Sequence, residues 1–197
     1  MSDDRVVHST ATPQQRIHAV QAALEARGMH AADAVEELSH LAQEEWIPRN
    51  GARVVARAWV DPAFRQRLLT DGRAAVAELG LSMPNHHRHL VVLENTPTVQ
   101  NVICCTLCSC TAFTLIGLPP DWYKDLEYRS RVVRESRTVL KEMGLDLAAD
   151  VEVRVWDTTA DTRYMVLPMR PPQTAGWSED RLAAIVTRDA MIGVARL

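Results

Sequence analysis

All four cysteines of the 197-residue chain fall in one nine-residue stretch, VICCTLCSC, Val102 to Cys110. A disulfide that staples a fold gains most by closing a long loop, and thiols this close together cannot do that. Their spacing suits a site. Cys108 and Cys110 flank a single residue, Ser109. If the peptide nitrogens of Ser109 and Cys110 lose their protons, four donors stand in sequence: the Cys108 sulfur, the two nitrogens and the Cys110 sulfur. The two nitrogens close a five-membered chelate, Cys110 closes a second through its own Cβ, and Cys108 closes a six-membered ring. The set is nearly planar. Cys105, three residues back, can cap it from one side and leave a sixth position open.

An open position is what a catalytic metal requires, because water or substrate must bind there. Ionised amides demand a strongly Lewis-acidic ion with a preference for a planar field, which suits trivalent cobalt or iron better than zinc. Three thiolates and two amidates exceed a trivalent charge. Oxidation of some sulfurs and arginines close by would relieve the excess, and thiolates oxidise readily to sulfenate and sulfinate. Other uses of the window remain open. Zinc sites usually pair two C-x-x-C units, and there is no second one. Iron–sulfur clusters usually take a fourth, well-separated cysteine. Cys104 adjoins Cys105, so both cannot easily face one ion. A redox switch remains the competitor of a metal site.

The totals narrow the class. The net charge of -3 gives no electrostatic case for a nucleic-acid polymer or an anionic membrane. Hydrophobic residues at 47% and charged residues at 24% are those of a soluble globular chain. The opening MSDDRVVHST has no apolar signal core, and no run is long enough to span a membrane. Clustered cysteines without an export signal imply a cytoplasmic protein.

An α+β fold is expected, with a helical arm over residues 1–80 and a metal-binding α+β domain over 81–197. TPQQRIHAVQAALEARG sets Thr12 as cap, Pro13 at the first turn, Gln15 in a capping box and Gly28 as the stop. Ile17, Val20 and Leu24 make a narrow apolar stripe. A second helix runs through Val35, Leu38 and Leu41, before Pro48 and an Asn50-Gly51 turn. More helix follows, with Asp61-Pro62 opening one segment and Gly80 ending another. From Ser82 the texture changes: HLVVLEN (89–95), DVEVRVWD (150–157) and RYMVLPM (163–169) read as strands. Tyr128 to Met143 reads as a helix closed by Gly144, and SEDRLAAIVTRD as one helix capped by Ser178. MIGVARL is expected to be a last strand. The cysteines lie in a loop between a strand and the GLPPDWY turn.

CTLCSC followed by GLPPDWYK resembles the metal-binding α subunit of the nitrile hydratase family. The resemblance continues through YRSRVVRESRTVL, VRVWDTTADTRYMVLPMRP and VTRDAMIGVA, and upstream through ARAWVDPAFRQRLL. It implies a helical arm and a layered α-β-β-α domain. It also implies sulfur ligands from Cys105, Cys108 and Cys110 and backbone nitrogens from Ser109 and Cys110. Cys108 would be the sulfinate and Cys110 the sulfenate. Thr106 follows the pattern of cobalt members, so Co(III) is expected, with iron(III) as the alternative. The implied reaction hydrates a nitrile to an amide without redox change at the metal; water or the Cys110 sulfenate oxygen is the nucleophile. A β-type subunit, or two smaller β-like chains, would supply two arginines, and a metal-loading activator is a further expected partner. Asp161 stands where the family often has a glutamate behind the ligands, and Arg163 matches an arginine that bonds across to the partner.

Two departures bear on substrate. Relatives carry tryptophan and proline after the claw, where this chain has Phe113 and Thr114, which suggests a reshaped pocket wall. In PNHHRHL, His86, or Asn85 with a one-residue slip, falls where relatives often have a glutamine; His86, His87 and His89 together suit a solvated or interfacial face better than a second metal. A wider pocket leans toward a bulky heteroaromatic nitrile, as in the toyocamycin nitrile hydratase branch, with thiocyanate hydrolase as the other relative to weigh. Cys104 replaces an apolar residue and is expected to behave as one.

Overall fold

The computed structural model describes residues 10–197 and divides into two compact units, Met1–Leu41 and Ala42–Leu197. The first unit holds α1 (Pro13–Glu25) and α2 (Ala31–His40). Thr12 and Gln15 form the expected capping box, Pro13 opens α1, and Gly28 takes the left-handed conformation that ends it. The apolar stripe is real but uncovered: Ile17 and Val20 on α1, like Val35 and Leu38 on α2, are each more than half exposed.

A π-helical turn, Leu41–Glu45, crosses the boundary between the units, and the second unit goes on with three helices: α3 (Pro48–Val60), α4 (Pro62–Thr70) and α5 (Gly72–Glu78). These helices belong with the strands rather than with α1 and α2, so the division falls near residue 41 and not at 80. The reason is burial, since Val54, Val55, Phe64, Leu68 and Val76 are all core residues. Asp61 and Asp71 cap α4 and α5, each accepting the N–H of the third residue on. Asn50-Gly51 makes no turn. Pro48 starts α3, and Gly51 lies in its first turns, where a Cβ would come 2.7 Å from Met191 Sδ. The glycine is there for close packing.

Four strands follow: β1 (His89–Glu94), β2 (Val99–Cys104), β3 (Glu152–Asp157) and β4 (Thr162–Leu167). β1 pairs with β4 and β2 with β3, both in parallel, giving two two-stranded sheets. Each short connection, residues 95–98 and 158–161, therefore turns a corner from one sheet to the other. At the first corner Asn95 Oδ1 accepts the Asn101 N–H at 2.8 Å, and Asn101 Oδ1 accepts the Trp156 indole N–H at 2.9 Å. These buried amides satisfy one another's polar groups. Between β2 and β3 come α6 (Phe113–Ile116), α7 (Asp121–Lys124) and α8 (Leu126–Glu142). α4 and α5 pack on β1, α8 packs on β3, and β2 meets β4 across the sheets, which is the layered α-β-β-α order.

The C-terminal part departs from expectation twice. SEDRLAAIVTRD gives two short helices, α9 (Glu179–Ala183) capped by Ser178 and α10 (Arg188–Ile192) capped by Thr187. MIGVARL is not a strand: Met191 and Ile192 finish α10, and Gly193 ends it at φ +97°. A Cβ on Gly193 would lie 2.0 Å from the Asn101 carbonyl oxygen, so α10 docks directly on β2. β2 itself escaped the sequence pattern because Gln100 and Asn101 interrupt it. Both are buried, and Gln100 Nε2 donates to the Gly193 carbonyl at 2.8 Å.

Candidate metal centre

β2 delivers the cysteines. It ends at Cys104, opposite Asp157 at the end of β3, and the chain then leaves the sheet. β2 is covered on both faces, so Cys104 is fully buried, and burial pushes its thiol up to about 12. Cys105 is also buried, Cys108 is exposed and Cys110 is half-buried.

The Sγ atoms of Cys105, Cys108 and Cys110 all lie within 4.8 Å of one another. Cys105 and Cys108 are 3.4 Å apart, and Cys108 and Cys110 are 2.8 Å apart. Two sulfurs bound at right angles to one ion, at a typical ~2.3 Å each, would sit about 3.3 Å apart. These two separations bracket that spacing, so the three sulfurs lie close enough together to bind a single metal. The Cys110 thiol holds Cys108 below its ordinary value, with help from Cys105 and the N–H groups of Cys110 and Ser109, against the opposing effect of burial. Burial pushes Cys110 up to about 11, the Cys108 sulfur adding to it and Arg163 opposing it. One thiolate forms at the expense of its neighbour, and a bound cation is what would let all three ionise.

The backbone around these sulfurs is gripped from two sides. Tyr128 Oη donates to the Ile103 carbonyl at 3.0 Å, and both the N–H and the hydroxyl of Thr158 donate to the Cys104 carbonyl at 3.0 Å. Arg129 on α8 donates through Nε to the Cys105 carbonyl at 2.9 Å and through Nη2 to the Thr106 carbonyl at 2.8 Å. Asp157 accepts the Thr106 N–H at 2.9 Å and, through its other oxygen, the Thr106 hydroxyl. Tyr123 Oη donates to the Cys110 carbonyl at 3.2 Å.

The carboxylate on the motif is thus Asp157. Asp161, the residue singled out from the sequence, accepts the hydroxyls of Thr159 at 3.1 Å and Thr162 at 3.2 Å in the β3–β4 corner. Asp157 is legible only once β2 and β3 are paired, because it is the register partner of Cys104. Arg163 is buried, with Nη1 donating to the carbonyls of Thr159 at 2.6 Å and Thr162 at 3.1 Å, while its Nε has no partner among the described residues. Its charge reaches Cys110 and His87.

Of the three histidines, His86 and His89 are exposed and His87 is buried. The solvated reading thus holds for His86 and His89 but not for His87, which turns inward. Its ring meets those of His86 at 4.3 Å and Phe113 at 5.3 Å, and Phe113 meets Trp46 at 4.7 Å, all edge to face. Burial, then the charge of Arg163, then His86 and Arg73 push His87 down to about 4. Thr114 offers its carbonyl to Asn50 at 3.0 Å, and its buried hydroxyl has no partner among the described residues. The three histidines do not converge on a common point, and the Cys105–Cys108–Cys110 set is the group among the described residues that gathers metal-ligand atoms.

A Cys-x-x-Cys-x-Cys run whose three sulfurs gather closely enough to hold one metal ion, carried where a parallel strand pair ends, points to the class. The family profile described as nitrile hydratase, alpha chain, matches residues 11–195, and the chain belongs to that family of lyase subunits. It is 49% identical to the low-molecular weight cobalt-containing nitrile hydratase subunit alpha of Rhodococcus rhodochrous, over 91% of this chain and 86% of that one. A solved structure, a double mutant of the Fe-type nitrile hydratase from Comamonas testosteroni Ni1, superposes with a TM-score of 0.89 at 54% identity, covering 96% of this chain and 92% of that one. The chain is also 44% identical to thiocyanate hydrolase subunit gamma of Thiobacillus thioparus, over 75% of this chain and 65% of that one. No helix among the described residues is long and apolar enough to cross a membrane.

Proposed function

We propose that this chain is the metal-holding half of an enzyme that hydrates a nitrile to the corresponding amide. The observation that carries the reading is the convergence of the Cys105, Cys108 and Cys110 sulfurs with Ser109 between the last two. Those sulfurs and the backbone nitrogens of Ser109 and Cys110 would hold the ion, with Cys108 as sulfinate and Cys110 as sulfenate. Bound there, the metal would supply Lewis acidity without changing oxidation state. The chain's own part is positional. Asp157 and Arg129 fix the loop, and the charge of Arg163 favours the ionised form of Cys110. Hydration adds the two hydrogens and the oxygen of water across the carbon–nitrogen triple bond, so the proton balance closes within substrate and water.

Cobalt is the metal of this reading, resting on Thr106 and on the cobalt-containing Rhodococcus relative; iron is the alternative that the Comamonas structure keeps in play. A β-type subunit completes the site, and a metal-loading activator belongs to the same reading. A bulky nitrile finds less support than the sequence offered. Where Phe113 stands in place of a larger ring, Trp46 and His87 pack against it from within the chain, so the space a lost tryptophan leaves is partly refilled.

The test is co-expression with the β-type chain and cobalt, metal analysis, then turnover of nitriles graded from small aliphatic to heteroaromatic. Amide as sole product, with cobalt near one per chain, is expected. Carbonyl sulfide and ammonia from thiocyanate, with no amide from any nitrile, would replace this activity by thiocyanate hydrolysis. Absence of metal and turnover, with a reversible disulfide in the window, would mean a redox switch.

A further inference from the structure

One peptide group in the window is held at both ends by opposite charges. Its carbonyl, that of Cys105, accepts the Arg129 Nε–H at 2.9 Å, and its nitrogen, that of Thr106, donates to Asp157 Oδ1 at 2.9 Å. The same two side chains each take a second hold on Thr106: Arg129 Nη2 on its carbonyl at 2.8 Å, and Asp157 Oδ2 on its hydroxyl. Cys105 supplies the sulfur nearest this peptide, and it is the only one of the three ligand cysteines that is buried. A guanidinium fork is rigid and planar, so two parallel N–H bonds to successive carbonyls fix the peptide's orientation as well as its place.

We propose that Arg129, through this peptide, is a positioning residue for metal capture: it aims the Cys105 sulfur at the point where Cys108 and Cys110 meet. Neighbouring carbonyls explain why the grip is effective. Tyr128, next to Arg129 at the start of α8, holds the Ile103 carbonyl, and Thr158 holds that of Cys104. Four successive carbonyls, Ile103 to Thr106, are thus fixed by donors from α8 and from the corner after β3. Each is a backbone acceptor that would otherwise need a partner on leaving the sheet. Asp157 holds the peptide against Arg129, so neither charge can drag it out of line. The bonds of Arg129 go to carbonyls and not to the sulfurs, so its effect is on how tightly and in what geometry the ion is held. Groups that orient metal ligands in this way typically contribute 10–100-fold to affinity.

The inference rests on the cysteine set being a metal site, and the experiment separates the two ideas. Wild type, Arg129→Met, Arg129→Lys and Arg134→Met are each produced with the β-type chain and cobalt. Arg134 lies on the same helix, and its Nε bonds to the Ser130 carbonyl at 3.0 Å, within the helix. Cobalt per chain, cobalt retained against a graded chelator and the sulfur-to-cobalt charge-transfer band are read, beside far-UV circular dichroism and Tm. Arg129→Met is expected to hold cobalt roughly tenfold or more weakly, with a shifted band and native circular dichroism. Arg129→Lys, which keeps the charge but not the fork, should fall between, and Arg134→Met should match wild type. Full cobalt with an unshifted band in Arg129→Met overturns the positioning role. Were Arg129→Met to misfold, the Lys variant decides, because a purely structural role predicts lower Tm with unaltered band and chelator resistance. Wild type without cobalt would instead sink the metal-site reading.

Discussion

From Ile103 to Thr106 every carbonyl of the cysteine window has a donor reaching in from α8 or the β3–β4 corner. From Leu107 to Ser109 the described hydrogen bonds are those of the loop with itself, chiefly through the Cys108 sulfur. Leu107 is 88% exposed, while Cys104 and Cys105 are buried. The window thus has a held half, Ile103 to Thr106, continuous with the core, and a presented half, Leu107 to Cys110, that carries two of the three candidate ligand sulfurs and is tied back only at its far end, by Tyr123 on the Cys110 carbonyl. The difference follows from topology. β2 is paired and covered until it ends, Arg129 and Asp157 hold the chain as far as Thr106, and among the described hydrogen bonds the next donor from outside the loop is Tyr123 on the Cys110 carbonyl. Folding and chemistry are therefore separable along six residues, and substitutions should sort by half.

The largest effect is expected in the presented half. Cys108→Ala should abolish cobalt binding and amide formation while leaving the fold intact, because an exposed side chain outside the core typically contributes within about 0.5 kcal/mol. Metal analysis beside a thermal melt checks both. A large fall in the Tm of the metal-free protein would show that Cys108 belongs to the held half after all.

In the held half the most severe lesion should lie behind β2. Gly193→Ala asks a non-glycine residue to adopt φ +97° and places a Cβ 2.0 Å from the Asn101 carbonyl, which is backbone and cannot swing away. Left-handed strain and forced displacement of β2 together should cost about 3 kcal/mol or more, read from the urea midpoint. A loss under about 1 kcal/mol would mean that α10 can retreat from β2 freely.

What the sequence disclosed follows the same division between local and non-local chemistry. Thr12, Pro13 and Gln15, Asp61-Pro62 and Ser178 act within one helical turn, so their caps appear where the sequence puts them. The cysteine cluster is equally local: its spacing is a property of six consecutive residues, and the three sulfurs gather accordingly. Asp157 is different. Its role exists only because residue 104 pairs with residue 157, a register that no short window encodes. His87 rather than His86 turns inward for a related reason, as the entry into β1 sets which face each residue takes. Gln100 and Asn101 concealed β2 because their polarity is satisfied by partners far along the chain.

His87 gives the comparison a pH axis. Its folded value, about 4, lies below the ordinary 6.5. Between those values the unfolded chain binds a proton that the folded chain refuses, so unfolding gains as pH falls. The stability due to neutral His87 is complete above about pH 6.5 and is progressively lost on acidification, levelling off below about 4. Carboxylates add their own slope, so the measure is the difference between wild type and His87→Phe in urea midpoints from pH 7 to pH 4. The variant should be the less acid-sensitive. Equal slopes would mean that His87 is hydrated in the folded protein.

The smallest effect should come from the cysteine nearest the claw. Cys104 is as close in sequence to Cys105 as a residue can be, yet it faces the core, with burial pushing its thiol up to about 12. At neutral pH it stays protonated and poorly nucleophilic, so it behaves as a small apolar side chain. Cys104→Ala should cost about 1 kcal/mol and leave cobalt content and charge-transfer band unchanged. In the native wild type, Cys104 should resist alkylation while metal-free Cys108 reacts. If Cys104→Ala lost cobalt, the boundary between the halves would have to move, because a residue pointing into the core would then be shaping the ligand set. If only stability changed, the end of the paired strand at Cys104 would be enough to explain why one thiol packs while its neighbour, just beyond the sheet, is left to ligate.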